Sequence, residues 1–183
     1  MAYRIQARVG VQAPAFAVWD VLSNLEGWKD WNPLFTEAEG RLSIGSLLQL
    51  RRVRPDGVGE LQEVRVLDWV PNEQILWSYS AGPFARVIGF LEIEALSSTG
   101  CVLSVGELYT GFIGDKLGQR RRKAATPGWR ALAEKLKERA EATWDGTPGE
   151  APVPPEPKGK EKKKPAVVPM QQMSILGRRK MTN

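Results

Sequence analysis

Hydrophobic positions along the chain follow two rhythms, and the slower one comes last. Between Thr126 and Trp144 the apolar residues Trp129, Leu132, Ala133, Leu136 and Ala140 recur at steps of three and four. That spacing draws one stripe along an amphipathic helix. Glu134, Lys135, Lys137, Glu138, Arg139 and Glu141 fill the other sides. Thr126 is expected as the N-cap and Pro127 as the first helical residue, where no backbone N–H is needed. Such a stripe needs a partner surface. Most of the chain before it alternates in steps of two, so the expected partner is a sheet, with a pocket between sheet and helix.

In chain order, Tyr3, Ile5, Ala7, Val9 and Val11 alternate with Arg4, Gln6, Arg8 and Gly10, the pattern of a half-buried strand. Pro14 opens a helix whose buried face carries Phe16, Val18, Trp19, Val21 and Leu22. Leu25 to Pro33 is aromatic and broken by glycine and proline, which predicts a second short helical turn and a loop. Strands are predicted at Phe35–Glu39, Leu47–Val53, Gly59–Val70, around Ile75, Trp77 and Tyr79, at Arg86–Ala95 and at Cys101–Phe112. The connections, among them Pro55-Asp56-Gly57 and Ser97-Ser98-Thr99-Gly100, are short enough for antiparallel pairing. Asp115 offers a cap for a first helical segment running into Arg120-Arg121-Arg122-Lys123. Pro127 then demands a restart at Thr126 or a kink.

Charge changes this picture only at the end of the chain. The 183 residues carry a formal charge of +5. Residues 1–144 hold 18 basic and 17 acidic side chains, and residues 145–183 hold 8 and 4. The predicted domain, residues 1–144, is therefore nearly neutral, which gives no strong nucleic-acid signal. Residues 145–183 are rich in proline and lysine and are expected to be a disordered basic tail, able at most to touch an anionic surface weakly. Cys101 is the single cysteine, so no intrachain disulfide is available. No stretch reaches the roughly 18 apolar residues of a membrane span, and the first residues hold no secretory signal, so a cytoplasmic protein is expected. Histidine is absent, which excludes histidine-dependent triads and histidine metal ligands. No phosphate loop, nucleophile elbow or paired-carboxylate motif is present, and no metal or cofactor is expected.

Several spaced features agree in order with one superfamily. They are the string VQAPAFAVWDVLSNLEGWKDWNP from Val11 to Pro33, Gly45 at a strand start, Leu76-Trp77, Gly89-Phe90-Leu91-Glu92, Glu107 before Gly111, and Thr126-Pro127-Gly128-Trp129. Together they resemble the SRPBCC superfamily of START-like and Bet v 1-like helix-grip domains, and within it the polyketide cyclase/dehydrase family. The resemblance implies an α+β helix-grip fold over residues 1–144. In it, an antiparallel curved sheet of about six to seven strands wraps around a long C-terminal helix, with two short helices after the first strand. The superfamily binds lipids, sterols, polyketides and aromatic compounds, and some members are enzymes or co-chaperones.

The expected pocket lies between the concave sheet face and the long helix, and such pockets are apolar with a few orienting polar groups. Trp28 and Trp31 resemble the family's pocket entrance, with stapling of the helix pair as the competing role. Trp77, Tyr79, Phe90, Glu107, Tyr109 and Trp129 complete the candidate ligand-binding set, although parity alone leaves open which strand face is concave. Glu107 is the most telling, because it interrupts the apolar run Val102, Leu103, Val105 and Leu108. Turned inward, it would need a partner to offset desolvation, and Arg65 and Arg86 are the arginines considered. Arg120–Lys123 reads either as a solvated helix face or as a contact for an anionic surface or headgroup. The leading expectation is a protein that binds a small hydrophobic ligand. The alternatives are a polyketide cyclase or dehydratase in which Glu107 or Tyr109 assists proton transfer, and a co-chaperone or adaptor acting through its surface and tail.

Overall fold

Alternation in strand β1 (Tyr3–Val11) buries Ile5, Ala7 and Val11 and exposes Arg4, Gln6 and Arg8. The computed structural model describes residues 2–152, and the lysine-rich stretch expected to be disordered lies outside them from residue 153 on. Helix α1 (Ala15–Ser23) follows Pro14, which stands extended at its N-cap position, and buries Ala17, Val18, Trp19 and Leu22. Asn24 caps a short 3-10 turn, Leu25–Gly27, by accepting from the Gly27 N–H at 3.3 Å. Helix α2 (Trp28–Trp31) then stops at Asn32, whose side-chain oxygen accepts from the Leu34 and Phe35 N–H groups at 3.0 and 2.9 Å. This Asx-type turn starts the rest of the sheet.

Strands β2 (Phe35–Gly40), β3 (Leu47–Val53), β4 (Gly59–Val70), β5 (Gln74–Ser80), β6 (Arg86–Ser97) and β7 (Gly100–Thr110) follow as a meander. All neighbours are antiparallel, in the order β1-β7-β6-β5-β4-β3-β2. Strand β1 thus pairs with β7, the last strand among the described residues, and helix α3 (Gly114–Thr143) lies against both. Leu103, Val105, Glu107 and Tyr109 of β7 face the helix, as do Ile75, Trp77 and Tyr79 of β5. The residues of the helical stripe, Trp129, Leu132, Ala133, Leu136 and Ala140, are all fully buried.

Of the two arrangements open at Pro127, the structure takes the longer helix and not a restart at Thr126. Helix α3 is continuous from Gly114, with Ile113 at the N-cap position, and Pro127 lies in its interior. Thr126 is not a cap, since its hydroxyl donates back to the Arg122 carbonyl at 2.8 Å. Asp115 stands in the first turn, where a carboxylate suits the helix dipole, and makes no capping bond. An interior proline costs a helix about 3 kcal/mol, so packing must hold both sides of it. Upstream, Gly118 is flush with the ring of Tyr3, where an added Cβ would come within 2.7–3.0 Å of the side chain. Downstream, Trp129 and Leu132 are sealed in the core. The folded unit also runs past residue 144, to Pro152. There the Gly149 N–H donates to the Ser98 carbonyl at 2.7 Å, and the Trp144 indole donates to the Thr147 carbonyl at 2.8 Å.

Because Leu136 sits at the centre of the helix–sheet contact, Leu136→Ala should destabilise the domain by about 2–5 kcal/mol, measured as the shift in a urea unfolding curve.

Candidate functional site

Glu107 is the one buried carboxylate among the described residues, with 1% exposure. Its strand neighbours Val105 and Tyr109 share its inward face, so parity forces the carboxylate into the core. Four donors meet it there. The Arg52 guanidinium spans both oxygens, Nη1 on Oε1 and Nη2 on Oε2, the latter at 3.3 Å. The Tyr79 hydroxyl donates to Oε1 at 2.7 Å and the Tyr109 hydroxyl to Oε2 at 2.8 Å. Arg52 Nη1 also donates to the Tyr79 hydroxyl oxygen at 3.2 Å. A charge this deep survives only with its hydrogen-bonding capacity filled, which this network achieves.

The geometry requires a strongly curled sheet. Arg52 is on β3 and Glu107 on β7, four strand spacings apart, or roughly 19 Å across a flat sheet. The two side chains touch only because the sheet folds its concave face around them. Between them, Gly89 of β6 leaves room for the Trp77 ring, since a Cβ at Gly89 would lie 2.2 Å from that ring. Trp77, Trp129, Phe35 and Trp28 form an edge-to-face and tilted cluster with ring centroids 5.8–6.4 Å apart. The Arg52 guanidinium lies 5.8 Å from the Trp129 ring centre.

Burial alone would raise the Glu107 pKa, but the Arg52 charge and the three donating side chains overcome it and hold the carboxyl below its ordinary range. Both phenols are pushed up, first by burial and then by the Glu107 charge beside them. Arg52 is also raised: its burial opposes the charged form, and Glu107 more than compensates. At neutral pH the site is therefore a carboxylate, a guanidinium and two neutral phenols.

One side of this network opens into a cavity of about 760 Å³. Arg52, Tyr79 and Tyr109 reach its wall together with Leu34, Gln62 and Ala81, and α3 contributes Arg121, Lys123, Ala125 and Gly128. A larger depression of about 1060 Å³, between Tyr3 and the Arg122–Arg130 part of α3, is solvent-open and carries none of the network.

The residues expected from the sequence divide accordingly. Tyr79 and Tyr109 line the cavity, and Glu107 binds both from beneath. Trp77 and Trp129 belong to the packed aromatic cluster rather than the cavity wall. Trp28 is buried and donates its indole N–H to the Leu22 carbonyl at 2.9 Å, while Trp31 packs partly exposed against it. Phe90 is a correction. It alternates with the inward Gly89 and Leu91, so it lies on the opposite face of the sheet, under the Arg4 guanidinium at 3.9 Å. Neither arginine considered as a possible partner of Glu107 reaches it, and both stand at the surface. Arg65 is exposed and donates to the Gly45 carbonyl at 2.9 Å, and Arg86 is exposed on β6. Arg52, the actual partner, had a signal in the sequence: it continues the parity of Leu48 and Leu50, which places a cation on an apolar face. Cys101 is buried, and burial pushes its thiol up to about 11, which makes it an inert core residue.

A curled antiparallel sheet gripping one long helix, with an open cavity between them, defines a START-like helix-grip domain. The chain belongs to the polyketide cyclase / dehydrase and lipid transport family, whose model matches residues 2–155. Among solved structures, the di-domain aromatase/cyclase BexL from the BE-7585A biosynthetic pathway aligns with TM-score 0.61 and 19% identity. The alignment covers 76% of this chain and 50% of BexL, so this chain spans half the length of that protein. The di-domain aromatase/cyclase StfQ from the steffimycin biosynthetic pathway aligns with TM-score 0.62 and 13% identity, covering 78% of this chain and 52% of StfQ. A START superfamily protein from Mycobacterium smegmatis aligns with TM-score 0.55 and 20% identity over 76% of this chain and 97% of its own. No curated protein matches the sequence.

The depressed Glu107 pKa sets a pH signature. The stabilisation is complete above the unfolded glutamate value of about 4.3 and is lost as pH falls through the lower folded value. Glu107→Gln lacks this linkage. The stability gap between wild type and Glu107→Gln, read from urea midpoints, should therefore be constant near neutrality and narrow as pH drops below about 4.

Proposed function

We propose that the cavity binds a small, largely apolar molecule carrying an oxygen function, and that Arg52, Tyr79 and Tyr109 orient that oxygen at the cavity wall. The observation that carries this reading is the one-sided network. Glu107 is buried behind it, while the guanidinium and the Tyr109 phenol present their remaining capacity to the cavity. Of the five N–H donors of Arg52, Nε and one hydrogen of Nη2 have no partner among the described residues, and the Tyr109 oxygen keeps acceptor capacity. A carbonyl or hydroxyl group suits both. The volume falls in the range of about 300–1,000 Å³ typical of small-molecule sites. The family's description, which joins cyclase chemistry to lipid transport, is compatible with such a ligand. We place this activity in the cytoplasm, where a lone buried thiol requires no oxidising compartment. In the described part of the chain, no helix is long and apolar enough to cross a membrane.

A catalytic version of the same site is favoured by Arg52 rather than Glu107. A carboxylate held below its ordinary pKa and already accepting four hydrogen bonds is a poor general base. A guanidinium with spare donors beside a bound carbonyl would instead stabilise an enolate oxygen during ring closure. Glu107 then acts as a positioning residue that holds Arg52 and the two phenols. The adaptor expectation concerns the basic tail, whose residues from 153 on lie outside the described part.

Native mass spectrometry of the protein purified from its own host, followed by denaturing release, tests the reading. A stoichiometric, oxygen-bearing hydrophobic molecule is expected. Arg52→Met, checked for folding by circular dichroism, should lower its occupancy by about tenfold, in line with the loss of a charge-assisted hydrogen bond. A ligand without oxygen, or occupancy unchanged by Arg52→Met, would contradict it.

A further inference from the structure

Away from the network, the strongest unexplained feature is an apolar tip at one end of the sheet. Phe112 is 90% exposed, Phe84 63% and Ile113 38%. They come from two turns, one between β5 and β6 and one between β7 and α3, and the turns are pressed together. The Ile113 N–H donates to the Phe84 carbonyl at 3.5 Å. Gly111 adopts φ +98°, and a Cβ there would lie 2.5 Å from the same carbonyl oxygen, so only glycine lets the turns meet. The three side chains therefore form one patch held by backbone contact.

Helix α3 begins directly after this patch, and its first three turns are strongly basic. Residues 111–123 hold Lys116, Arg120, Arg121, Arg122 and Lys123 against one carboxylate, Asp115. All five cations are exposed, and Arg86 is exposed just beyond Phe84. The same segments border the cavity, whose wall includes Ser80 and Ala81 at the base of the Phe84 turn and Arg121 and Lys123 of the helix.

The geometry points to this end of the domain as a docking surface for an anionic lipid bilayer, with Phe84, Phe112 and Ile113 inserted among the headgroups and the basic turns of α3 resting on them. Area separates this occupant from a protein. At 90%, 63% and 38% exposure the three side chains offer roughly 300–400 Å², about half of the roughly 800 Å² that each partner gives to a standard protein interface. Shallow insertion of a few aromatic side chains, joined to several lysines and arginines near an anionic surface, is sufficient for reversible membrane binding. The cavity mouth shares this surface, so a hydrophobic molecule could pass between bilayer and cavity with little exposure to water. Docking does not depend on the cavity's ligand and is read without it.

The test is flotation of the full chain with phosphatidylcholine vesicles, with and without phosphatidylserine, at low and high salt. Wild type should float with phosphatidylserine at low salt and be released at high salt. The double variant Phe84→Ser/Phe112→Ser removes only exposed side chains and should lower the bound fraction by about tenfold or more. The double variant Lys116→Gln/Arg120→Gln should lower it on the order of tenfold. Failure of wild type to float on either vesicle would overturn the proposal. So would serine variants that float like wild type, because the attraction would then come from charge elsewhere, including residues 153–183. A concentration-dependent dimer in sedimentation velocity that Phe84→Ser/Phe112→Ser abolishes would assign the patch to a second copy of the chain and equally overturn it.

Discussion

A single carboxylate, closed off from water at the centre of a curled sheet, sets the terms for the rest of this structure. Glu107 cannot remain ionised there unless a cation crosses the concave face to meet it. Arg52 does so from four strands away, and two phenols complete the shell. The sheet must curl enough to bring β3 over β7, Gly89 must omit a side chain to seat Trp77, and Trp129 of α3 must pack beneath the guanidinium. Apolar groups would fill this position at lower electrostatic cost. That a charged network stands where packing alone would serve is the main physical reason to regard this end of the cavity as the working part of the molecule.

The cavity and the outer surface then divide the work. Inside, the network offers fixed donors and acceptors at neutral pH, with every titratable member pushed away from the range where it would exchange protons. In the proposed reading, such a site orients a ligand's oxygen and stabilises negative charge on it. Outside, the exposed phenylalanines and the basic start of α3 belong to segments that also line the cavity. A cavity lined by apolar and polar groups together, with an amphipathic surface on neighbouring segments, is a coherent arrangement for the oxygen-bearing apolar molecule proposed above.

Much of the fold was legible because its signals are local. The alternation of β1 and the stripe Trp129–Ala140 state which faces are buried, and short turns between strands imply a meander. The start of helix α3 stayed open between Thr126 and Asp115 because Thr126-Pro127 carries a strong local capping signature, whereas the continuity of the helix depends on Gly118 docking against Tyr3, a tertiary contact. The site was legible in part for the same reason. Glu107 and Tyr109 stood out as polar groups in an apolar strand, and Tyr79 shared a face with Trp77. Arg52 was missed although its parity with Leu48 and Leu50 was available, because pairing it with Glu107 needs the curvature of five strands. Phe90 was misplaced because an aromatic in an apolar strand fits either face, and only the position of Gly89 and Leu91 decides between them.

The most direct test of the central claim is a double-mutant cycle on the buried pair, with unfolding free energy as the readout. Arg52→Met and Glu107→Leu each strand an uncompensated charge and should each cost about 3–5 kcal/mol. The combined variant removes both charges and should recover most of that loss, because the pair is kept for the site it builds and not for stability. If the combined variant instead loses the sum of the two single effects, the pair contributes nothing beyond independent packing, and the network would have to be reinterpreted as ordinary core.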